Sequence, residues 1–582
     1  MTRSHHRCLR TVRGRILAGA AGLLLAFAGA LPPILSGQAD PADPAIFSDR
    51  VEVELINLQV WVTDRKGRPA EGLEAGDFEL EVDGEPVSIT HFSEVRGDRA
   101  VDVPAARAEA APAPAAPEAP SRLVLYFDET HLSALGRKNA LKDLRELLGR
   151  DEALSGNLLV LRQASTLVTE ASFDSPPEIV SRALERLEKP SPHLTRAPVE
   201  KQVTVDRLWQ LWEISRQRTD RDPCQFFPRS AMPEVTTYAR QAFARTLGTG
   251  QLLTDVARFL GGIPGAKTVL YVGDQLDLSP GEDLIQIVRE LCPFSEDRDS
   301  FRLDSEDLSE RFDRLARQAN ANRVTIYTLQ AKGLEVGVAS SAGQQATRGQ
   351  AMVSFDRALR HGDQSGLGQL ALATGGKAFF NSNRFVRQLR SMAHDLENYY
   401  SLAFPASELG GAASHRLKVR TRVPGLKARH RRNVRVKEPE ERLEERLLSS
   451  IYLGRSENEL GIRLGYGEVK AVGGNRFKVP LHVFVPAGEL TFLPTAQGDR
   501  ASLEVMVTWR SPNHDDEAPT KRHFRLERPR EPEDRIGLPV SLELATGLYT
   551  LGVGVVDVAS GTSASVSTSI TVSASPPGSG AR

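Results

Sequence analysis

Strand–helix alternation through the middle of the chain, bordered by runs of alternating polarity, predicts an α/β fold: a doubly wound, Rossmann-like sheet flanked by two β-domains. Near-continuous apolar runs such as RLVLYFD, KTVLYVGD and NRVTIYTL read as buried parallel strands. Segments of helical period, among them LSALGRKNALKDLRELLGR and RFVRQLRSMAHDLENY, stand between them. Up to residue 96 and again from 447 the pattern becomes short strands punctuated by Gly, Pro, Asn and Asp.

The chain has 582 residues, too many for one hydrophobic core, and its 40% apolar and 26% charged residues are ordinary globular usage. A formal net charge of −1 supplies no global field that would draw it onto nucleic acid or an anionic membrane. The first residues, MTRSHHRCLRTVRGR, are basic and lack acids, and ILAGAAGLLLAFAGA follows them. A basic stretch before a short apolar one is the pattern of a secretory signal peptide, placed here at 1–39. An uncleaved anchor is the alternative, but Pro32 and Pro33 interrupt the apolar run before it could span a bilayer. Export to the periplasm or beyond is the expectation.

Residues 46–96 form the expected N-terminal β-domain, with Asp83-Gly84 as its tight turn. The stretch 97–121 alternates Ala and Pro with few large apolar residues and reads as an extended linker. The Arg96-Gly97-Asp98 triplet at its start matches an integrin-recognition tripeptide, a match too short to carry weight. The α/β domain spans 122–435, and its first helix has Leu135, Leu141, Leu144 and Leu148 on one face. Two stretches break its alternation and read as insertions: 189–236, partly helical, and 333–365, rich in Gly, Ser, Ala and Gln and partly mobile. Residues 447–576 are the expected β-sandwich.

Without the signal peptide two cysteines remain, Cys224 and Cys292, 68 positions apart. An even pair in an exported chain reads as one disulfide contributing about 4 kcal/mol in the chain-entropy model, with two unrelated buried thiols as the alternative. The basic run LKARHRRNVRVK at 426–437 is followed at once by EPEERLEE, so its field cancels and a solvated, salt-bridged connector is expected. No phosphate-binding glycine loop, zinc-spaced Cys/His cluster, nucleophile elbow or aromatic-basic interleaving occurs.

The strand-to-Asp opening LYFDETHLS, the later GGIPGAK and VLYVGD, LATGGKAFF and the closing NYYSLAFPAS together resemble a von Willebrand factor A domain. More narrowly, the ensemble is similar to A-domain-related proteins of Acidobacteria, in which a segment like VTDRKGRPAEGLEAGDFELEVDGEPVSITHF precedes the A domain. The resemblance implies a Mg²⁺ or Mn²⁺ site at the C-terminal edge of the sheet, built from Asp-x-Ser-x-Ser, a distant Thr and a distant Asp. Carried over by position, Asp128 matches the first Asp, Thr130 the first Ser, and Leu132 stands where the second Ser would be. Ser133 lies one position late, Thr249 in LGTGQLLTD is the candidate distant Thr, and Asp274 the candidate distant Asp. A helix running unbroken from about 237 would bury Thr249 within it and turn it from the metal. The alternative role for Asp128 and Asp274 is to cap helices or accept hydrogen bonds from loop amides.

His131 is expected to be a loop histidine, with an acid-base role beside Asp128 and Asp274 in a metal-dependent hydrolase as the alternative. The resemblance therefore implies an exported, non-catalytic adhesion or protein-interaction molecule with a degenerate metal site. Its partner would be a protein of the cell envelope or extracellular space, with membrane contact only through an uncleaved N-terminus. A metal-free envelope scaffold is the second reading.

Overall fold

The structure is a computed structural model. It describes residues 55–573 apart from 98, 103–120, 151–153, 155–156, 190–196, 219–221, 294–306, 335–348, 410–413, 496–497, 512–519 and 529–534. The proposed signal peptide, most of the Ala/Pro linker, the Asp of the Arg-Gly-Asp triplet and part of the second insertion lie outside the described residues.

The N-terminal strands are β1 (Leu55–Thr63), β2 (Phe78–Val82), β3 (Glu85–Pro86), β4 (His91–Arg96) and β5 (Arg99–Asp102). The chain then enters an α/β region: β6 (Arg122–Asp128), α1 (Ala134–Leu148), β7 (Leu158–Gln163), β8 (Leu167–Ala171), α2 (Pro177–Glu188), α3 (Ala197–Gln217) and α4 (Pro223–Gly261). It continues through β9 (Lys267–Gly273), α5 (Glu282–Leu291), α6 (Ser309–Ala321), β10 (Val324–Gln330), α7 (Gly349–Thr374), β11 (Ala378–Phe379) and α8 (Val386–Glu397). Next come β12 (Asn398–Pro405), β13 (His415–Thr421), β14 (Lys427–Arg429), β15 (Asn433–Val434) and α9 (Pro439–Leu453). The last strands are β16 (Glu457–Asn458), β17 (Arg463–Tyr466), β18 (Lys470–Gly473), β19 (Arg476–Pro486), β20 (Leu493–Thr495), β21 (Gly498–Arg510), β22 (Thr520–Glu527), β23 (Arg535–Ala545), β24 (Gly547–Asp557) and β25 (Ser563–Val572).

The central sheet has the order β11-β10-β9-β6-β7-β8, parallel except for the edge strand β8, which runs antiparallel to β7. Its strands carry apolar side chains on both sides. Leu123, Leu125 and Phe127 pack with Leu141 and Leu144 of α1, Leu184 of α2 and Leu389 of α8 on one face. Val124 and Tyr126 meet Leu253 and Leu260 of α4, Phe312 of α6 and Leu367 of α7 on the other. Helices therefore cover both faces of the α/β sheet. The face expected for α1 is corrected at one position: Leu141, Leu144 and Leu148 are buried, whereas Leu135 is exposed and Leu147 takes its place in the core.

The expected boundary between the N-terminal β-domain and the α/β domain needs a larger correction. The strand NYYSLAFP does not extend the central sheet; as β12 it lies antiparallel between β1 and β4. Sheets β14-β1-β12-β4-β5 and β15-β13-β2-β3 then face each other across a core containing Leu58, Val60, Phe78, Phe92, Tyr400 and Phe404. One sandwich is thus assembled from chain before and after the α/β region. The misreading has a physical cause: β12 buries Tyr400, Leu402 and Phe404 in the sandwich while Tyr399 and Ala403 on its other face are buried too. A strand covered on both faces reads as a continuous apolar run, like a parallel one.

The basic run at 426–437 is likewise more than a solvated connector. The Arg429 guanidinium stacks 4.2 Å from the Trp61 ring centroid and pairs at 2.7 Å with Asp395 of α8, while Trp61 Nε1 donates to the Asp395 carbonyl at 2.7 Å. Arg431 donates to the carbonyls of Asn320 and Asn57. These contacts join the sandwich to the α/β region. The acid-rich EPEERLEE opens helix α9, which was not expected within the C-terminal part. Gly552 and Gly554 of β24 let it approach: a Cβ at Gly554 would lie 2.8 Å from Leu443 Cδ1. Beyond α9, β16-β25-β24-β21-β20 and β17-β19-β18 enclose the expected sandwich core, with β22 pairing β21 and β23 pairing β19.

In the first insertion, α3 and the start of α4 form a helical hairpin. Val205, Leu208, Phe227, Ala231 and Val235 from it pack against Leu284, Ile287 and Val288 of α5. Cys224 and Cys292 are joined, with Cα atoms 5.4 Å apart, tying the first turn of α4 to the C-terminus of α5. Removing the bridge through Cys224→Ser with Cys292→Ser should lower unfolding free energy by about 2–4 kcal/mol. Denaturant titration at fixed pH checks this, and an unchanged midpoint would mean that the helical hairpin is held by packing alone.

Candidate functional site

Sequence places polar residues at the C-terminal ends of the central strands: Asp128 closes β6, Gln163 closes β7, Asp274 follows β9 and Gln330 closes β10. In a sheet of this kind these ends form the edge where ligands usually approach. Here Asp128 and Gln163 belong to a closed hydrogen-bonded network, with Asp274 in a second arrangement beside it.

Asp128 is fully buried. Its Oδ1 accepts from the Thr130 amide at 2.9 Å and the Thr130 hydroxyl at 2.5 Å. Its Oδ2 accepts from His131 Nδ1 at 2.8 Å, Tyr271 OH at 2.7 Å and Thr249 Oγ1 at 3.0 Å. Burial alone would raise this carboxyl. The charge and hydrogen bond of His131, with the hydrogen bonds of Thr130 and Tyr271, outweigh burial and leave it lowered. An ionised carboxylate only accepts, so the His131 Nδ1 that faces it at 2.8 Å carries a proton. Burial and the adjacent Asp128 charge push the Tyr271 hydroxyl well above its usual range, keeping it a donor.

Gln163 extends the network. Its Nε2 donates to Thr249 Oγ1 at 2.7 Å, leaving that hydroxyl's proton for Asp128, and its Oε1 accepts from the Tyr126 hydroxyl. Thr249 does lie inside an unbroken helix, since α4 runs from Pro223 to Gly261. The expectation that this would turn it from Asp128 is corrected: the helix crosses the sheet edge with Thr249 on its inward, fully buried face. His131 lies in the loop between β6 and α1, as expected of a loop histidine, and is in addition buried as a member of the network. Its Nδ1 stands 2.8 Å from Asp128, 3.0 Å from Thr130 Oγ1 and 3.4 Å from Thr249 Oγ1.

Asp274 and Ser133 form a second arrangement. The Ser133 hydroxyl caps α1 by accepting from the Gly136 amide at 3.1 Å, and the Ser133 amide donates to Asp274 Oδ2 at 2.7 Å. Asp274 thus sits at the start of α1 as a capping group. Its Oδ1 is buried without a hydrogen-bond partner, and burial pushes the carboxyl up to about 6 despite the Ser133 bonds. Gly136 makes room for it: a Cβ there would lie 2.2 Å from Asp274 Oδ1. Leu132, at the position of the second Ser, packs into the core beneath α1.

The residues therefore fit a hard divalent cation poorly. Such an ion needs several oxygen ligands with free lone pairs. Five donors already occupy the Asp128 carboxylate, and His131 Nδ1 stands among the three oxygen-bearing side chains that would have to coordinate. Ser133 and Asp274 belong to a separate set, and among the described residues no group of three or more His, Cys, Asp or Glu is placed to hold a metal.

A buried charge cluster, missed in the sequence, lies beyond this edge. Lys201 of α3 pairs with Asp283 at 2.5 Å and Asp363 at 2.6 Å, and Asp363 also pairs with Lys332 at 2.6 Å. Burial opposes the Lys201 charge, but the surrounding carboxylates raise it well above its usual value. The cluster anchors the inserted hairpin to α5 and α7. A Lys in an otherwise ordinary amphipathic helix gave no sign of this, because Asp283 and Asp363 lie 82 and 162 positions away in sequence.

No protein-family model and no curated protein matches the chain. Among solved structures, it is similar to an aerotolerance-related membrane protein from Bacteroides fragilis, at 10% identity over 48% of this chain and 98% of that one, with a TM-score of 0.22. It is similar to proximal thread matrix protein 1 of the mussel byssus at 10% identity over 48% of each chain, with a TM-score of 0.20. At such TM-scores neither likeness carries an argument.

Gly136→Ala should destabilise the protein by about 2–4 kcal/mol, since the added methyl meets a buried carboxylate and α1 start that cannot both move. Thermal melting checks this; a midpoint within a degree of wild type would contradict the tight packing. Asp274 gives a pH signature. Its native value of about 6 exceeds the roughly 3.9 of an unfolded Asp, so the native state holds an extra proton between these values. The stability this proton provides is lost as pH rises from about 4 to 6. Asp274→Asn does not ionise, so its stability relative to wild type should improve by about 2–3 kcal/mol from pH 4 to pH 7. Parallel denaturant titrations test it, and a pH-independent difference would show that Asp274 ionises in the fold without cost.

Proposed function

We propose that this chain is an exported, non-catalytic interaction protein of the cell envelope, built on a von Willebrand factor A-like domain that works without a bound metal. The observation that carries the reading is the saturation of Asp128 by Thr130, His131, Thr249 and Tyr271. The polar edge keeps the A-domain positions Asp128, Thr130 and Thr249, but uses them as internal cross-links between β6, β9 and α4.

The central-sheet order, with β6 and β9 adjacent in the middle and an antiparallel edge strand, supports the A-like assignment at the level of fold. The basic-then-apolar N-terminus and the Cys224–Cys292 bridge support export to an oxidising compartment. Among the described residues no helix is long and apolar enough to cross a membrane. A metal-dependent hydrolase built on Asp128, His131 and Asp274 is disfavoured, because five donors already fill the Asp128 carboxylate that would hold the water-activating metal and Asp274 is engaged separately at the start of α1. Two flanking β-sandwiches and an inserted helical hairpin supply the surfaces on which a protein partner would dock.

Titration of Mg²⁺ or Mn²⁺ into the full chain, after treatment with a chelator, should give no stoichiometric heat. A one-to-one exotherm that disappears in Asp128→Ala would overturn the metal-free reading.

A further inference from the structure

In the second sandwich, β25 is a long strand that stands unguarded at the rim of its sheet. It pairs along its length with β24, from Gly547 against Val572 to Val556 against Ser563. On its other side β16 meets it at Ala564 and Ser565, and Ser563, Ala564 and Ser565 are buried there. Among the described residues no strand pairs with the outer side of 566–572. Alternate amides and carbonyls of that stretch point away from β24 and are placed to accept another strand.

Other outer strands of this sandwich are protected. β22 carries Lys521 and Arg522, β23 carries Arg535 and Pro539, β20 contains Pro494, and β17 and β18 are four residues each. Charge, proline and shortness keep a free edge from recruiting a strand. The sequence of 566–572, VSTSITV, has no charge and no proline, and its Val, Ile and Thr favour strands. Val566 and Ile570 pack toward the sandwich core yet are only half-buried, because the sheet stops beside them. Ser567, Ser569 and Thr571 lie on the other face.

We propose that two copies of this chain pair edge to edge through β25, antiparallel about a two-fold axis at Ser569. That residue is the midpoint of the free stretch. Val566 then meets the partner's Val572, Thr568 meets the partner's Ile570, and Ser569 meets its own counterpart. A fitting occupant must be an uncharged strand whose apolar positions fall in phase with these, and a second β25 meets both conditions. No like charges are brought together, and the half-buried Val566 and Ile570 of both copies are covered. The pairing consumes the free edge of each copy, so it closes at a dimer. The contact is short and its association correspondingly weak. It shares no residue with the Asp128 network, so it stands or falls apart from the metal-free reading.

Sedimentation velocity of the full chain should show monomer passing to dimer as concentration rises from about 1 to 200 µM. Ser569→Lys sets like charges opposite each other across the axis and should weaken the dimer about tenfold, while the melting temperature of dilute protein stays near wild type. Under mild oxidation Ser569→Cys should cross-link two copies, since opposed Cβ atoms lie about 5 Å apart. Ser567→Cys should not, because its counterpart would be about 14 Å away along the paired strands. A chain that stays monomeric over this range overturns the proposal. So does a dimer unaffected by Ser569→Lys, or equal cross-linking of the two cysteine variants. Wild-type sedimentation and the cysteine pair keep the test decisive if Ser569→Lys folds poorly.

Discussion

A carboxylate buried at the end of the central strand, Asp128, sets the terms for the surrounding structure. Taking an ionised group out of water is costly unless each of its acceptor positions is filled. The donors come from the turn after β6, from β9 and from the middle of α4, so satisfying this one group fixes where three elements meet. Gln163 adds β7 to the same set and orders the Thr249 hydroxyl. The same network makes the site unlike a hard-cation centre. A metal would have to displace several hydrogen bonds at once, in a place already closed to solvent.

Much of the α/β region was legible because burial on both faces leaves a plain record: continuous apolar strands separated by helical period. Asp128 and Thr130 were legible by their position after such a strand. Tyr271 and Gln163 were not, because one looks like core and the other like a strand end, and only three-dimensional proximity makes them donors to the same group. The polar residues that close β6, β7 and β10 form a signal that could have pointed to Gln163. Thr249 was legible as a candidate, but its sequence does not show that it faces Asp128 from inside an unbroken helix, because the register of that helix decides the matter. The closing strand β12 was misplaced because covering both faces of an antiparallel strand erases the alternation that would identify it.

The protein is further organised by interlocking. The first sandwich is completed only after the chain has traversed the α/β region, and the Trp61–Arg429–Asp395 contact fastens the two where β1, β14 and α8 meet. Helix α9 performs the same office toward the second sandwich, through Leu443 and Leu447 on Met506 and Tyr452 stacked on Phe259 at 4.8 Å. Basic side chains are concentrated at these joints, where guanidinium groups reach carbonyls, rings and carboxylates together.

The central claim is that His131 donates its Nδ1 proton to Asp128 inside a site closed to cations. The direct measurement is nitrogen NMR of the full chain labelled at histidine, with His131 assigned by its absence in His131→Gln. The account predicts a ring that carries a proton on Nδ1 and whose signals are unaffected by stoichiometric Mn²⁺. An Nδ1 without its proton, or His131 signals broadened by stoichiometric Mn²⁺, would contradict it.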